Sequence, residues 1–485
     1  IEAIGRGLEI PADARVLEGE GLIVYPGFVD AQGKVKYSFP EVEAPSTPVA
    51  PWDPPRELKG FTPHRRVVDV LQATSADLAD QRKKGIVAAA VYPTDALMPG
   101  RGALVMMRAD ARTPMQTVLV PELGPVMTLR GGRRAYPGTL FGVLAFYRQQ
   151  FENARHAQEV ALRFARDPRG IEPPAYDPDI AVLQEVMQGR APVFFAVDRA
   201  EDIRRVLNIA QSNGLRPIIV GGREAWKVAT ELEKRNVPVL VSLDFPKGEF
   251  DDPEKHGDKA DAELDAAVLK EKRELEAAYA NAARLAEAGV RFALTSGGGE
   301  ADLLEGARKA IEYGLDEMAA LRALTATPAE LFGIGYVARI EAGLPATFVV
   351  ASGPLFDEGT SLRYTFVEGA LEEIGGAEKR GGANGRAGQA ANVTGEWSVD
   401  VESPEGGMSM RMTLAQEGAA FTGSLNSAEF GTMRIIDGAV AGSEVRFTVV
   451  VEMGGQSMEV HFTATIEGDE MRGSGSGPMG TFRSE

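Results

Sequence analysis

Hydrophobic and polar positions divide the chain into two regions with different periods. Between residues 22 and 331, short continuous apolar runs, such as residues 86–92 and 193–197, alternate with longer segments whose apolar residues recur at helical spacing. Strands that are apolar on both faces and alternate with amphipathic helices are typical of a parallel sheet covered by helices. Over a stretch of about 310 residues, this pattern predicts a (β/α)8 barrel, in the α/β class, rather than an open doubly wound sheet.

Glycine marks the ends of two predicted helices. Residues 67–84 have helical apolar spacing that stops before Gly85. The charged segment 261–288 ends in the same way at Gly289. A glycine directly after the last helical residue readily adopts the left-handed conformation that ends many helices. Both segments are therefore predicted as single helices.

Beyond residue 391 the period changes to two. Apolar and polar residues alternate in the stretches 408–414, 445–451 and 458–466. This alternation is typical of strands with one face in a core and one face in water. The sequence therefore predicts a separate antiparallel barrel or sandwich over residues 392–485, with the methionines of its first stretch packed in the core.

Composition narrows the classes of function. The chain has 485 residues and a formal net charge of −18, which disfavours binding to nucleic-acid phosphates. No apolar run approaches the roughly 18 residues that a membrane-spanning helix needs. The absence of cysteine excludes disulfides, thiolate nucleophiles and cysteine-ligated metal sites, and four histidines remain as candidate metal ligands.

The start of the chain has its own signals. It begins at Ile1 rather than at methionine, and residues 1–5 have the pattern of a strand interior. We therefore expect that an N-terminal segment is missing from this numbering and that a signal peptide could have been lost with it. The sequence does not fix the compartment, although the missing N-terminus and the appended β-module favour a periplasmic or secreted location.

The segment Tyr25-Pro26-Gly27-Phe28-Val29-Asp30-Ala31 resembles the first barrel strand of the amidohydrolase superfamily, specifically its imidazolonepropionase-like branch. Further segments resemble that branch in the same order along the chain: 100–105, 136–139, 145–149, 202–205, 222–226, 288–295, 324–329, 341–343 and 347–350. The resemblance covers about residues 1–370, and because its segments keep the family's order it supports the prediction of a barrel.

The resemblance also implies a domain organisation. A TIM-like barrel is expected over residues 25–335, and a small composite β-sandwich is expected from residues 1–24 together with 336–374. Residues 375–391 contain six glycines and no apolar side chain larger than alanine, which predicts a flexible linker. The C-terminal β-module resembles the lipocalin-like repeat that is appended to some members of the family.

Members of that family hold one or two metal ions at the carboxyl ends of the barrel strands. The resemblance implies a His-x-His pair after the first strand, single histidines after two middle strands, and an aspartate after the last. A metal held in this way lowers the pKa of its bound water to about 7, and the resulting hydroxide attacks a carbonyl carbon. In this chain the five positions are occupied by Gln32, Lys34, Ala196, Gly221 and Ser296. None of the five ligands is retained, so no metal and no other cofactor is expected.

The four histidines do not offer a replacement site. His64 is expected to begin a helix, and His156 is expected on a helix surface. His256 falls in an acidic insertion, and His461 falls on the polar face of a strand in the C-terminal domain. Because none of them follows a predicted barrel strand, a rebuilt histidine site is not expected.

Other polar residues are expected at the mouth of the barrel. The candidate pocket residues are Gln32, Lys34, Ala196, Asp198, Arg223, Asp244 and Ser296. In one interpretation, a buried Lys34–Asp244 pair fills the cavity that the metal leaves. In a second, Lys34 and Arg223 donate hydrogen bonds to an anionic or polar ligand. In a third, Asp244 and Lys34 carry out acid–base chemistry.

Three functions are compatible with these observations. The favoured hypothesis is a non-catalytic subunit, in a homo- or hetero-oligomer, that assembles with an active metal-dependent amidohydrolase paralogue. The second is an active hydrolase of C–N bonds in cyclic amides or peptide-like substrates, with a metal-free site or displaced ligands. The third is a protein that binds a small molecule or cell-surface material. Resemblance in fold does not decide among them, because function depends on the site.

Overall fold

The structure, a computed structural model, describes most of the chain. The described residues are 1–8, 10–11, 13–40, 50, 52, 54–131, 136–246, 266–374 and 393–484, the last range without 404–405, 418–419, 428–430, 442–443, 454–455, 468–469 and 478–479. The chain divides into two compact units, Ile1–Ala377 and Glu378–Glu485. The predicted linker 375–391 and the insertion that contains His256 lie outside the described residues.

The first unit has a mixed α/β fold. Its described strands are β1 (Ile23–Pro26), β2 (Phe28–Asp30), β3 (Ile86–Val91), β4 (Arg101–Met106), β5 (Val118–Thr128), β6 (Val193–Val197), β7 (Pro217–Gly221), β8 (Val239–Ser242), β9 (Phe292–Thr295), β10 (Phe348–Ala351), β11 (Leu362–Val367) and β12 (Ala370–Glu373). Its described α-helices are α1 (Arg56–Lys59), α2 (Ala79–Lys83), α3 (Leu140–Arg166), α4 (Pro178–Met187), α5 (Ala200–Asn213), α6 (Ala229–Lys234), α7 (Ala266–Tyr279), α8 (Asn281–Glu287), α9 (Leu303–Glu312), α10 (Glu317–Leu324) and α11 (Ala326–Leu331).

Eight strands form the large sheet in chain order, from β2 to β9. Neighbouring strands are parallel, except that β4 is antiparallel to both β3 and β5. The prediction of eight parallel strands is therefore wrong at β4. The cause is the connection over residues 92–100, which is too short for the crossover that a parallel neighbour requires. Among the described residues no strand pairing joins β2 to β9, so closure into a barrel stays a prediction.

The core of this sheet follows from the apolar runs of the sequence. Every residue of β2, β3 and β9 is buried, and so are Phe194 and Phe195 of β6. Burial on both faces is what continuous apolar strands predict. Helix ends also follow local signals: the Thr139 side chain accepts a hydrogen bond from Gly142 N–H at the start of α3 (3.2 Å), and Gly214 ends α5 with φ of 66°.

The predicted helix over residues 67–84 is wrong in its extent. The structure has a 3₁₀ helix at Val67–Val70 and α2 at Ala79–Lys83. Between them, the backbone N–H and the hydroxyl of Thr74 both donate to the Asp77 carboxylate, at 2.8 and 2.7 Å. Such local side-chain hydrogen bonds compete with helix formation. The described part of the predicted 261–288 helix is likewise divided into α7 and α8, which are separated by Ala280.

A second, four-stranded antiparallel sheet has the order β1–β10–β11–β12. It combines a strand near the start of the chain with three strands from residues 348–373, and Val24 is paired with Val350. The strand pattern of residues 1–5 was misleading, since these residues form no strand. Instead, the Ile1 carbonyl accepts a hydrogen bond from Gly343 N–H at 2.8 Å.

The second unit is a closed antiparallel barrel of eight strands. They are β13 (Gly395–Ser403), β14 (Gly406–Glu417), β15 (Ala420–Ser427), β16 (Gly431–Ala441), β17 (Glu444–Met453), β18 (Gln456–Glu467), β19 (Glu470–Gly477) and β20 (Gly480–Ser484). The pairing of Val401 with Ser484 closes the ring. Met412 and Leu414 are buried while Thr413 between them is exposed, as a period of two requires. No helix in the described part of the chain is long and apolar enough to cross a membrane.

Candidate functional site

The predicted site residues lie at one edge of the large sheet, where the parallel strands have their carboxyl ends. Gln32 and Lys34 follow β2, Asp198 follows β6, and Arg223 follows β7. In addition, Asp244 follows β8 and Ser296 follows β9, while Ala196 lies within β6. Parallel strands end at the same edge of a sheet, which is where α/β proteins place their ligand sites. This edge is therefore the candidate site.

Asp30, the last residue of β2, is the buried centre of this edge. Its side chain is 0% exposed and accepts four hydrogen bonds. The donors are Thr295 Oγ1 (2.8 Å), Ser296 Oγ (2.6 Å) and the backbone N–H groups of Ser296 and Gln32 (3.1 Å each). Gly298 N–H also donates to the Gln32 carbonyl at 2.7 Å. These contacts connect the end of β2 to the end of β9.

Burial dominates the electrostatics of Asp30. Removal from water raises the pKa of its carboxyl group, and the hydrogen bonds from Ser296, Thr295 and Gln32 oppose that rise without cancelling it. Sequence reasoning missed this residue, although Asp30 lies within the segment that carries the resemblance. An aspartate that ends a fully apolar strand was the available signal, because such a carboxylate has to be hydrogen-bonded when it is buried.

Tyr92, directly after β3, is a second residue that the sequence did not single out. Its side chain is 5% exposed, and its hydroxyl has no hydrogen-bond partner among the described residues. Burial raises the pKa of this hydroxyl well above its ordinary value, and the negative charge of Asp30 raises it further. The ring packs on Phe194 with centroids 4.7 Å apart. Gly102 makes room for it, since a Cβ there would lie 2.5 Å from Tyr92 Cδ1.

Lys34 does not form the predicted buried pair with Asp244. Its side chain is 56% exposed and makes an ion pair with Glu300, whose pKa the ammonium group lowers. Asp244 is also more than half exposed. The prediction of a buried Lys34–Asp244 pair is therefore wrong. Both residues lie beyond the last residue of their strand, where the backbone has left the core and the side chains reach water.

Arg223 lies between two carboxylates on neighbouring strand ends. Its Nε is 3.9 Å from Asp198 Oδ1, and its Nη2 is 3.6 Å from Asp244 Oδ2. The three side chains are between 40% and 56% exposed. At these distances and in contact with water, each ion pair contributes little to stability. The residues therefore form a solvated charged row along the ends of β6, β7 and β8.

The residues present do not fit the metal that the resemblance implies. Gly221 has φ of 93°, a backbone conformation that strains any residue with a side chain, and a Cβ at this position would lie 2.5 Å from Asp198 Oδ1, so a ligating side chain would also have to displace that carboxylate. Ser296 donates its hydroxyl to Asp30 rather than presenting it outward. In the described part of the chain, no group of three histidine, cysteine, aspartate or glutamate side chains is arranged to hold a metal ion.

The described histidines lie elsewhere. His64 was expected to begin a helix, but it lies in a turn before the 3₁₀ helix, where its Nδ1 contacts the buried Asp179. Arg56 contacts the same carboxylate, so Asp179 has two partners. His156 lies exposed on α3, as expected. His461 lies in β18 of the other unit.

The chemistry available at this edge is limited. Ser296 is 3% exposed and hydrogen-bonded to Asp30, so its hydroxyl is not accessible as a nucleophile. Lys34 and Asp244 have different partners, which removes the geometric basis for acid–base chemistry by that pair. What remains accessible is a set of half-exposed charged groups, the cations Lys34 and Arg223 and the carboxylates Asp198 and Asp244.

Comparison with known proteins gives the family context. No curated protein matches the sequence. A crystal structure of a Xaa-Pro dipeptidase with methionine bound in its active site is 16% identical, with 77% of this chain and 92% of that chain covered and a TM-score of 0.41. Molinate hydrolase is 15% identical, with 79% and 91% covered and a TM-score of 0.39.

A stronger similarity connects the chain to an amidohydrolase from Thermotoga maritima MSB8. The identity is 23%, the alignment covers 76% of this chain and 92% of that chain, and the TM-score is 0.57. At this identity the likeness shows a shared fold. Residues 226–377 match the model of the amidohydrolase family. The chain thus has a segment that matches the amidohydrolase family model, within a fold that it shares with the Thermotoga amidohydrolase.

Proposed function

We propose that this protein is a non-catalytic amidohydrolase-fold subunit that assembles with a paralogue in which the metal ligands are intact. The proposal rests on the residues that occupy the positions at which the resemblance implies metal ligands. Gly221 has a left-handed backbone conformation that strains any residue with a side chain, and Ser296 is hydrogen-bonded to a buried carboxylate. Two cations, Lys34 and Arg223, stand at the edge where the family places its metal. An ammonium or guanidinium group repels a metal ion and does not coordinate it.

The preserved core supports a role in assembly. The strands around the site have a buried core, although the five positions at which the resemblance implies ligands hold other residues. A fold that is maintained without its chemistry is maintained for its shape, and subunit interfaces are the commonest use of shape in oligomeric proteins. We assign the first unit to the imidazolonepropionase-like branch on its motifs, with a barrel over 25–335 and a sandwich from 1–24 and 336–374. The module over 392–485 is taken as the lipocalin-like repeat.

Metal analysis tests the loss of catalysis. Protein purified without chelator, and then dialysed against Zn²⁺, Mn²⁺, Fe²⁺ or Ni²⁺, should retain far less than one equivalent of each metal. It should not hydrolyse a panel of lactams and dipeptides, and Asp244→Asn should leave that result unchanged. One tightly held equivalent of metal, or a turnover that Asp244→Asn abolishes, would show that the protein is an enzyme.

Isolation from the native source tests the assembly. We expect the chain to elute in a complex with an amidohydrolase that has complete metal ligands, at a fixed stoichiometry measured by native mass spectrometry. Activity should reside in the paralogue, and metal removal should abolish it without dissolving the complex. A chain that is monomeric at its native concentration would contradict the proposal.

A further inference from the structure

A groove between α3 and α5 lies on the outside of the first unit and plays no part in the site described above. Its volume is about 320 Å³. The floor is apolar and consists of Leu144, Phe151 and Ile209. Guanidinium groups line its rim, and they belong to Arg148, Arg155 and Arg205. We call this surface the α3–α5 groove. An apolar floor with charged groups at its rim is typical of surfaces that bind a protein segment.

The charge of the α3–α5 groove is opposite to that of the whole chain. Arg155 donates to Glu152 (2.5 Å) and to Asn213 Oδ1 (2.6 Å). Arg205 donates to Asp202 (2.5 Å). The exposed Arg148 has no ion pair or hydrogen bond among the residues that the structure describes. Three arginines against two carboxylates leave the groove positive in a protein whose net charge is −18.

The same helix face continues beyond the groove. The buried residues of α3 all fall between Val143 and Ala154, so its last twelve residues have none. Leu162 is 61% exposed and lies on the line that Leu144 and Phe151 begin, since these residues are separated by seven and eleven positions. An isolated stretch of about three helical turns gains little stability in water, and most helices are stabilised by packing of an apolar face.

We propose that the α3–α5 groove, together with Leu162, docks an acidic amphipathic segment of the partner subunit. The inference rests on the proposed assembly and names the surface that makes it. The partner's apolar residues would cover Leu144, Ile209 and Leu162, and its carboxylates would pair with Arg148 first, because that guanidinium has no competing partner. Charge-assisted pairs between arginine and carboxylate are among the stronger polar contacts at interfaces.

Two other occupants fit less well. A second copy bound through a twofold axis would place the same groove against itself, so arginines would face arginines. An anionic membrane would bind a convex basic surface, whereas this surface is a groove in a chain with 70 acidic and 52 basic residues. Complementarity in charge and in shape therefore favours an acidic protein segment.

The first test uses a defined probe and the full chain. The probe is a fluorescein-labelled 18-residue helical peptide with leucine along one face and glutamate on its flanks, and a lysine version serves as the peptide control. We expect saturable binding of the glutamate peptide only, measured by fluorescence anisotropy. Arg148→Glu should weaken it at least tenfold, and Leu162→Ser at least threefold. Arg291→Glu makes the same charge change on an exposed residue outside the groove and should change the affinity less than twofold.

The second test uses the complex isolated from the native source. Purified subunits should reassemble with Arg291→Glu as with the original chain, and Arg148→Glu should weaken reassembly at least tenfold. Absence of peptide binding, or equal reassembly of both variants, would overturn the groove proposal and leave the assembly intact. A chain that never enters a complex would instead remove the proposed function. Binding to vesicles of 70% phosphatidylcholine and 30% phosphatidylglycerol that Arg148→Glu abolishes, without peptide binding, would replace the partner with a membrane.

Discussion

Two parts of the same sheet edge have polar residues in similar numbers but in opposite environments. The cluster around Asp30, between the ends of β2 and β9, is buried, and every oxygen of its carboxylate is hydrogen-bonded. The row of Asp198, Arg223 and Asp244, at the ends of β6 to β8, is solvated and its charges are 3.6 to 3.9 Å apart. Polar groups that look equivalent in a sequence therefore contribute differently to the free energy of unfolding, because losing a hydrogen-bond partner costs more in a buried site than in water.

The strongest test of this difference removes the buried acceptor, the Asp30 carboxylate. Asp30→Ala would leave two hydroxyls and two backbone N–H groups without their hydrogen-bond acceptor. We expect a loss of about 2–4 kcal/mol in the free energy of local opening. Asp30→Asn is the matched control. Its amide oxygen can keep the three bonds made to Oδ1, and the Ser296 hydroxyl can rotate to accept from the amide nitrogen.

Hydrogen exchange at the amides of β2 and β9 measures this effect where it occurs, independently of the second unit. Asp30→Asn should retain more than half of the protection that Asp30→Ala loses. Equal losses in the two variants would mean that the negative charge itself, and not the acceptor geometry, holds the two strand ends together.

The next largest effect concerns Gly221, one of the positions where the resemblance implies a metal ligand. Gly221→His should destabilise the first unit by about 1–3 kcal/mol, because a side chain at φ of 93° is strained and its Cβ would meet Asp198. It should also fail to bind Zn²⁺ in equilibrium dialysis. Gly221→Ala measures the steric part, and Asp198→Ala in the same chain should recover some of it in a double-mutant cycle. If the Gly221→His variant were stable and bound Zn²⁺, a single substitution would be enough to create a metal site.

A third prediction uses pH to separate the buried cluster from the solvated row. Because burial raises the folded-state pKa of Asp30 above 3.8, the folded protein binds the proton more tightly than the unfolded chain does. Stability from this group is therefore present at low pH and is lost as the pH rises through the folded pKa. The difference in stability between the original chain and Asp30→Asn should shift in favour of the original chain on acidification from pH 7 towards pH 4. No such shift would mean that the carboxylate is not disfavoured by burial.

The sequence predicted the secondary-structure elements of the fold better than their arrangement in space. Apolar runs located six of the eight strands of the large sheet but not β4 and β5, and the period of two located β14, β17 and β18. It missed the reversed direction of β4, which follows from the length of one connection and not from any residue type. The pairing of Lys34 with Glu300 was also missed, because strand ends bring together loops that are far apart in sequence. The motifs predict where the family's ligand positions fall, but burial, which gives Asp30 and Tyr92 their importance, is a property of the folded chain.

A smaller effect is expected from the unpaired hydroxyl beside Asp30. Tyr92→Phe removes a polar group that is buried without a partner, so we expect the first unit to be unchanged or more stable by about 0.5–1 kcal/mol. Tyr147→Phe is the control, because that buried hydroxyl shares its one hydrogen between the Leu97 and Thr128 carbonyls, and its loss should destabilise the first unit. Urea unfolding of the two variants makes the comparison. Destabilisation by Tyr92→Phe would show that water or a ligand satisfies the hydroxyl.

The smallest effect is expected in the solvated row. Arg223→Gln should cost less than about 0.5 kcal/mol, since its partners are more than 3.5 Å away, its side chain is 40% exposed, and its buried Nε makes no hydrogen bond among the described residues. The small difference from the original chain should disappear in 0.5 M NaCl, whereas that of Asp30→Ala should remain, because salt does not reach a buried hydrogen-bond cluster. Urea unfolding at low salt and in 0.5 M NaCl measures the change in the free energy of unfolding for both variants. If Arg223→Gln cost as much as Asp30→Ala, the row would be a structural cluster in its own right, and burial would not be what distinguishes the two parts of this edge.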